Sequence, residues 1–286
     1  MLDLFSMNEL NIDVRKIIGD KNPSLLNKLP RFIISYLERI IHQKEINTFL
    51  ADNGHLKNHE FCEAVISYLG IHIELHGIER IPKTGPVIIA LNHPLGGVDG
   101  VAFIVAMKNH RPDLVFLVND ILLNITPLKD MFVGINKHGK NRADTRKMIE
   151  SMFNSDNAVC IFPAGLVSRK QHGVIKDLEW KRTFVSYART TGHPIIPIHI
   201  GGKLSRFFYG LHQFRTWVGI KSSLEMLFLA DELFKQRDKK IVFTVGDSIF
   251  LSNDQINNDE HRISQEIKEQ LYNIPTQYGA NHRSNS

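Results

Sequence analysis

Residues 86–100 read PVIIALNHPLGGVDG and contain three parts of a fold in succession. The run PVIIAL is short, apolar and rich in β-branched residues, which is typical of a strand buried on both faces. The chain then becomes polar and glycine-rich from Asn92 to Gly97, and an apolar helical pattern begins near Asp99. A buried strand, a loop and a helix in this order predict one unit of an α/β fold.

The same alternation continues on both sides of this stretch. The other β-rich runs are IHIEL, LVFLV, AVCIF, PIIPIHI and KIVFTV, and helical patterns occupy 99–108, 141–153 and 178–190. We therefore predict an α/β fold with a mostly parallel mixed sheet flanked by helices. In such sheets, functional residues collect in loops at the carboxyl ends of the strands. The predicted organisation is an N-terminal helical segment at 1–70, the α/β domain at 71–275 and a polar tail at 276–286.

Two helical stretches combine apolar and basic residues. In residues 29–50, apolar side chains recur at helical spacing between arginines and lysines. This stretch could pack on the main domain or lie at a membrane interface, and both alternatives stay open. The stretch RFFYGLHQFRTW, residues 206–217, could likewise lie in the headgroup layer or form a buried helix with aromatic residues at core spacing.

Composition sets broad limits on the partners of the chain. Its 286 residues are 43% hydrophobic and 23% charged, which is ordinary for a globular protein and excludes a mainly disordered chain. The net charge of +5 favours an anionic partner. We expect no signal peptide, and no apolar run reaches the roughly 20 residues that cross a bilayer. Cys62 and Cys160 match no metal-binding or redox spacing.

The loop after PVIIAL places His93 at a strand end, with Asp99 six positions later. An imidazole can accept the proton of an attacking hydroxyl, and a carboxylate can fix its tautomer and stabilise the imidazolium. Gly96 and Gly97 would let backbone N–H groups approach a reacting carbonyl. Two structural explanations stay open, because Asp99 could cap a helix and His93 could be a hydrogen-bonded loop histidine.

Two further segments carry basic residues at strand ends. In CIFPAGLVSRK, residues 160–170, an apolar strand leads to Arg169 and Lys170. This pair suits a phosphate, because arginine offers a fork of donors and lysine a point charge. In VGINKHGKNRADTRK, residues 133–147, a short apolar strand leads into several basic residues and then a helix. Either segment could instead be a solvated basic turn or helix start.

Over roughly residues 71–250 the chain resembles the glycerophospholipid acyltransferase superfamily, of the lysophosphatidic-acid acyltransferase type. The resemblance is greatest to its haemolysin-like branch of aminolipid O-acyltransferases. Four blocks carry it: NHPLGGVD at 92–99, GINKHGKNR at 134–142, FPAGLVSR at 162–169 and IIPI at 195–198. Four blocks in one order are a far more specific signal than any one of them.

The resemblance implies a glycerolphosphate-acyltransferase-like fold and an O-acyltransferase of membrane lipid biosynthesis that acylates a lysolipid hydroxyl. It implies that His93 and Asp99 are catalytic. The substrate-binding residues that it implies are Asn92, Gly96, Gly97, Asn136, Lys137, Arg142, Phe162, Pro163, Gly165, Ser168, Arg169 and Lys170. It also implies acyl-CoA or acyl-ACP (acyl carrier protein) as co-substrate, no metal or other cofactor, no nucleic-acid partner, and a peripheral or monotopic position on the cytoplasmic face of the membrane.

Two positions depart from the common pattern of that superfamily. Five residues separate His93 from Asp99 where four are usual, so the two glycines between them must absorb the extra residue. Ala164 follows Pro163 where a glutamate is usual, which argues against glycerol 3-phosphate or lysophosphatidic acid as acceptor. The haemolysin-like branch is similar at both places and is associated with lyso-forms of ornithine or glycine lipids, so we expect an acceptor of that class.

The expected mechanism begins when His93, oriented by Asp99, takes the proton of the acceptor hydroxyl. The oxygen attacks the thioester carbonyl, loop N–H groups hold the oxyanion, and the thiolate leaves. The same pair could instead activate water in a thioester or lipid hydrolase. A non-enzymatic, basic lipid-binding module would leave the pair unexplained. The chain has no G-x-S-x-G element of a serine hydrolase and no His-Glu-x-x-His pattern of a zinc protease.

Overall fold

A computed structural model of the chain describes residues 11–135, 142–220, 223–251 and 259–283. Within these ranges the strands form one seven-stranded sheet and one small hairpin. The strands are β1 (His72–His76), β2 (Val87–Leu91), β3 (Leu114–Asn119), β4 (Phe132–Ile135), β5 (Ala158–Ile161), β6 (Arg169–Gln171), β7 (Val174–Lys176), β8 (Ile195–Ile200) and β9 (Lys240–Val245).

The large sheet has the strand order β1-β9-β8-β2-β5-β3-β4. The neighbours from β8 to β4 are all parallel, whereas β9 is antiparallel to β8 and parallel to β1. The sheet is therefore mostly parallel and mixed, which confirms the predicted fold class. Each of the six β-rich runs contains one of its strands, and the apolar start of residues 133–147 lies in β4.

Strand β2 shows why the central runs are continuously apolar. All five of its residues are buried. Val87, Ile89 and Leu91 face one hydrophobic core, and Ile88 and Ala90 face the other. Successive side chains of a strand point to opposite faces, so a strand covered on both sides must be apolar at every position.

Helices cover both faces of the sheet. They are α1 (Val14–Lys21), α2 (Pro23–Lys28), α3 (Arg31–Ile40), α4 (Gln43–Asn53), α5 (Asn58–Tyr68), α6 (Gly97–Met107), α7 (Arg142–Phe153), α8 (Thr183–Thr191), α9 (Arg206–Trp217), α10 (Leu229–Phe234) and α11 (Glu260–Arg283). Helices α5, α6, α9 and α10 contribute to the core on one face, and α7, α8 and α11 contribute to the core on the other.

The stretch 29–50 forms two helices rather than one. Helix α3 ends at Ile40 and α4 begins at Gln43, because His42 adopts a left-handed backbone conformation with φ of 55°. That conformation costs about 1–2 kcal/mol for a residue with a side chain. Tertiary contacts offset the cost, since the His42 ring stacks 4.1 Å from the Phe234 ring and its Nε2 lies 3.0 Å from Asp231.

The apolar residues of these helices are divided between two environments. Ile40 and Ile41 are buried in a small N-terminal cluster that also contains residues of α1. Phe49 of α4 and Phe61 of α5 belong instead to the main core beside the sheet. Phe32 remains 70% exposed on α3. The sequence alone could not divide the apolar residues of 29–50 in this way, because they share the same helical spacing.

The stretch RFFYGLHQFRTW forms one helix, α9, with aromatic residues on both a buried and an exposed face. Phe208 and Tyr209 are buried in the main core. Phe207, Phe214 and Trp217 are 51%, 57% and 83% exposed. Over the ranges given above, none of the helices has both the length and the apolar content that a bilayer-spanning segment requires.

Two local predictions differ from the structure. The sequence predicts a polar tail from residue 276, whereas α11 continues to Arg283. The loop predicted after β5 also contains the start of the β6–β7 hairpin, in which Arg169 pairs with Lys176. These strands are three residues long and largely polar, so they carry too little alternation to be recognised from sequence.

Candidate active site

His93 follows the carboxyl end of β2 by two residues. Its Nδ1 lies 2.9 Å from Asp99 Oδ2, and its ring centroid lies 4.2 Å from that of Phe162. Within the described ranges no hydrogen bond engages its Nε2, and the side chain is 19% exposed. With Nδ1–H donating to Asp99, Nε2 carries the lone pair. The ring is therefore held on one side and can accept a proton from a bound molecule on the other.

Asp99 has two roles that the sequence presented as alternatives. It lies in the first turn of α6 and is fully buried, and its Oδ2 accepts hydrogen bonds from the backbone N–H groups of Leu95 and Gly96 at 2.9 and 3.1 Å. It therefore caps the helix and binds His93 with the same oxygen. Gly96 has φ of 81°, a region that glycine enters at little cost. This turn accommodates the fifth residue between His93 and Asp99.

The electrostatics of Asp99 differ from those of an ordinary surface carboxylate. Burial raises the pKa of Asp99, and the hydrogen bond from His93 opposes that shift. Its Oδ1 is buried without a hydrogen-bond partner in the described part of the chain. The anion is thus incompletely stabilised at rest. It gains a full charge partner at 2.9 Å when His93 takes up a second proton, which favours proton transfer to the imidazole.

The third sequence block surrounds His93. Phe162 directly follows β5 and packs on the imidazole ring, and the next residue, Pro163, is buried. Gly165 closes a turn by donating its N–H to Phe162 O at 2.9 Å and has φ of 64°. Ser168 donates its backbone N–H to His93 O at 2.8 Å. The structure thus brings the first and third blocks together, as expected for loops at adjacent strand ends.

Arg169 differs from its predicted environment. The sequence predicts a guanidinium open to a phosphate, whereas this side chain is 1% exposed and donates to Glu225 at 3.1 Å. It also donates to Val167 O and lies 5.1 Å from the centroid of the Phe208 ring. A carboxylate 56 positions away along the chain therefore takes one of the donors that were expected to bind substrate, and Arg169 Nε is buried without a partner in the described part of the chain. Lys170, the next residue, is exposed.

Asn92 also differs from its predicted role. Its side chain is buried, its Nδ2 donates to Ile200 O at 2.9 Å and its Oδ1 accepts from Ile200 N at 2.6 Å. Both polar atoms of the amide are therefore used to join the end of β2 to the end of β8. Because the side chain is also only 1% exposed, we treat Asn92 as part of the scaffold.

The second sequence block lies mostly outside the described residues. Asn136 and Lys137 are among the residues not described, and the side chain of Arg142 is not described either. The described strand before them, β4, ends at Ile135 on the same edge of the sheet as β2, with β5 and β3 between. The predicted substrate contacts of this block stay predictions.

Two functional candidates near His93 were missed or misjudged from sequence. Asp177 is buried and accepts the backbone N–H of His93 at 3.1 Å, yet it follows a strand of only three residues and belongs to no recognisable motif. Of the two loop glycines, Gly96 donates its N–H to Asp99, whereas Gly97 is exposed. As the first residue of α6, Gly97 has an N–H with no partner inside the helix. In the described ranges, no group of three or more His, Cys, Asp and Glu residues is placed to hold a metal ion.

A mostly parallel α/β sheet with a His–Asp pair at its strand ends is the arrangement predicted for acyl transfer. A profile of the acyltransferase family matches residues 16–275. The chain belongs to this family and is an acyltransferase, which confirms the family resemblance and the predicted enzyme class.

Two relatives agree with this classification. The lyso-glycine lipid O-acyltransferase of Bacteroides thetaiotaomicron is 44% identical over 239 residues, which cover 83% of this chain and 88% of that protein. The protein of the same name from Phocaeicola vulgatus is 42% identical over 239 residues, with coverage of 83% and 86%. Among solved structures, the 1-acyl-sn-glycerophosphate acyltransferase PlsC of Thermotoga maritima covers 84% of this chain and 93% of its own, at 17% identity and a TM-score of 0.39.

Proposed function

We propose that the protein transfers a fatty acyl group from an acyl thioester to the hydroxyl of a lyso-glycine lipid or a closely related lyso-aminolipid. The observation that carries this proposal is the His93 ring, with Nδ1 bound to buried Asp99 and Nε2 open. The two curated relatives, both named lyso-glycine lipid O-acyltransferases, support the class of acceptor.

In the proposed reaction, Nε2 of His93 removes the proton of the acceptor hydroxyl as its oxygen attacks the thioester carbonyl. The C–O bond forms, the carbonyl electrons move to the oxygen, and a tetrahedral oxyanion results. Collapse of this intermediate breaks the C–S bond, and the imidazolium returns its proton to the departing thiolate. Asp99 holds the imidazolium between these two steps, as the buried carboxylate does in a Ser-His-Asp triad.

Gly97 is our candidate for binding the oxyanion. Its N–H lies at the start of α6, where the positive end of the helix dipole favours a negative charge. A side chain built on Gly97 would meet no atom within 4 Å, so space is available beside it. The Gly96 N–H is already bonded to Asp99 and is not free for this role.

The binding groups for the acceptor are consistent with a carboxylate headgroup. The guanidinium of Arg169 is paired with Glu225 and is not open to an acceptor phosphate. Ala164 is buried in the loop at the position where the family pattern has a glutamate that would contact a glycerol-type acceptor. Lys170 is an exposed cation on the same segment, and we assign it to the headgroup carboxylate. Acyl-CoA and acyl-ACP present the same thioester, and both are anionic partners that suit a chain of net charge +5. The reaction requires no metal.

The proposed acceptor is an amphiphile, so we also propose that the protein binds the cytoplasmic face of the membrane as a peripheral or monotopic protein. The outer face of α9 supports this position. Phe214 and Trp217 are exposed and their ring centroids lie 6.2 Å apart. Residues 201–224 contain four lysines or arginines and no aspartate or glutamate. Aromatic and basic side chains together suit the headgroup layer of an anionic bilayer.

Flotation with vesicles tests this surface. We expect the wild type to float with vesicles that contain phosphatidylglycerol, and the double variant Phe214→Ala, Trp217→Ala to float less. Met148→Ala is the matched control, because Met148 is a similarly exposed apolar residue on α7. Equal flotation of the double variant and the Met148→Ala control would mean that another surface contacts the membrane. No flotation of the wild type would contradict membrane binding. A high-salt wash separates electrostatic binding from insertion of apolar side chains.

Thiol release from acyl-CoA and from acyl-ACP tests the reaction itself. We expect release that depends on added lyso-glycine lipid, together with appearance of the diacylated product by mass spectrometry. Release without any lipid acceptor would identify a hydrolase, and absence of release with either donor would leave a lipid-binding protein. Parallel assays with lysophosphatidic acid establish whether the headgroup is selected.

A further inference from the structure

We infer that Asp177 is a positioning residue for His93, an inference that rests on the proposed function because it takes His93 as the catalytic base. Asp177 directly follows β7 and is 1% exposed. It lies 84 positions from His93 in the sequence, and it binds the backbone of His93 rather than its ring.

Both backbone polar groups of His93 are bound by the same segment of chain. The His93 N–H donates to Asp177 Oδ1 at 3.1 Å, and the His93 carbonyl accepts from Ser168 N at 2.8 Å. Ser168 Oγ donates to the same Asp177 oxygen at 2.5 Å, which closes the set of bonds. Asp99 and Phe162 orient the ring, and Asp177 and Ser168 hold the backbone from which it projects. Nε2 has its productive position only when both the ring and the backbone of His93 are held.

The chemistry of the site explains why a carboxylate is required there. Asp177 Oδ2 accepts from Trp180 Nε1 at 2.9 Å, so three donors converge on the two oxygens. A carboxylate can accept on both oxygens, whereas an asparagine would present its own N–H groups to one of these donors. The three donors are neutral, and burial of a carboxylate is a costly way to join two loops. We attribute the free-energy cost of burying this carboxylate to the need to fix the position of His93.

A second effect of Asp177 is electrostatic. Burial is the main cause of the raised pKa of Asp99, and the negative charge of Asp177 adds to it. The two carboxylates are therefore close enough to interact. Asp177 thus acts on His93 through its backbone N–H and on Asp99 through its charge.

Steady-state kinetics of Asp177→Ala and Asp177→Asn test the inference. For Asp177→Ala we expect kcat to fall about 10²-fold with both KM values near wild type, because displacement of a catalytic group by about 1 Å costs that much without altering substrate binding. Asp177→Asn keeps one acceptor for the His93 N–H, so it should retain more of kcat. The matched control is Ser264→Ala, which removes a buried hydroxyl that contacts the carbonyls of His261 and Trp180 without touching the carboxylate. It should lower the melting temperature and leave kcat unchanged.

Hydrogen exchange of the peptide covering residues 92–98 tests the contact without relying on turnover. We expect faster exchange in Asp177→Ala, or in Asp177→Asn if the alanine variant does not fold, and wild-type exchange in Ser264→Ala. Unchanged exchange in folded Asp177 variants, or an equal loss of kcat in the Ser264 control, would overturn the inference. If the wild type transfers no acyl group from either donor, the proposed function fails, and the exchange data still decide whether Asp177 holds the His93 backbone.

Discussion

Two fully buried carboxylates in this protein have contrasting partners. Asp99 binds His93 and the N–H groups of Leu95 and Gly96 with a single oxygen, and its other oxygen has no partner within the described ranges. Glu225 uses both oxygens, with Arg169 on Oε1 at 3.1 Å and Arg215 on Oε2 at 2.8 Å. The first carboxylate has a neutral partner that can gain a proton, and the second has two partners that are always charged.

The pKa values of the two carboxylates shift in opposite directions. Burial raises the pKa of Asp99, and the His93 hydrogen bond only partly opposes it. Burial would also raise the pKa of Glu225, but its own backbone N–H, Arg215 and Arg169 more than offset that effect and lower it. A buried carboxylate with partners on both oxygens, such as Glu225, contributes to stability. A buried carboxylate with one oxygen unpaired, such as Asp99, is suited to support proton transfer.

The largest effect on turnover is expected from substitution of His93, the partner of Asp99 whose Nε2 is open. His93→Ala should lower kcat by about 10²–10⁴-fold, the usual contribution of a general base. The melting temperature should change little, because the side chain is partly exposed and packs mainly on Phe162. Steady-state kinetics and thermal denaturation on the same preparation check both statements. Substantial turnover by a well-folded variant would exclude His93 as the base.

Asp99→Asn should separate activity from stability. We expect kcat to fall about 10²-fold or more, because an amide next to Nδ1 favours the wrong tautomer of His93. The raised pKa of Asp99 means that its contribution to stability is present below about pH 3.8, the ordinary value, and is lost as the pH rises through the folded value. At pH 7 the variant should therefore be at least as stable as the wild type in urea. A large loss of stability with normal activity would reduce Asp99 to a helix cap.

A pair of substitutions at Gly97 tests the oxyanion role in the same loop. Gly97→Pro removes the N–H, and proline is favoured at the first position of a helix. We expect a loss in kcat of about 10²-fold, the scale for removing one oxyanion donor. Gly97→Ala keeps the N–H and adds a methyl group into open space, so it should retain far more activity. Equal kcat values for the two variants would place the donor elsewhere.

The smallest effect on turnover, and the largest on stability, is expected at Glu225. Glu225→Gln should lower the free energy of unfolding at pH 7 by about 3–5 kcal/mol, the usual cost of breaking a buried ion pair. Because the pKa of Glu225 is lowered, this stabilisation is present above its ordinary value of 4.5 and is lost as the pH falls through the folded value. Urea denaturation in a pH series that begins at pH 7 and extends well below 4.5 measures it. A fall in kcat per folded molecule as large as that of Asp99→Asn would erase the contrast between the two carboxylates.

Local patterns predicted the strands and the His93–Asp99 pair because both depend on residues close together in the sequence. The six apolar runs identified strands, and the carboxylate six positions after His93 reaches it through one glycine turn. The partner of Arg169 was not predictable in this way. The sequence near Arg169 does not distinguish a guanidinium that is free to bind phosphate from one that is already paired. Its partner, Glu225, lies 56 positions away and is brought close only by the fold. Asp177 was missed for the same reason.

The break at His42 has a consequence for shortening the chain. Helices α1 and α3 contribute to the small N-terminal cluster, whose contact with the later chain includes Phe228. Helices α4 and α5 instead supply Phe49 and Phe61 to the main core. A polypeptide that started at residue 71 would expose that core to water and tend to aggregate, whereas one that started at residue 43 would keep it covered. A shortened protein for expression should therefore begin after His42, the residue with the left-handed backbone. It should not begin at residue 71, where the sequence changes from helical to β-rich.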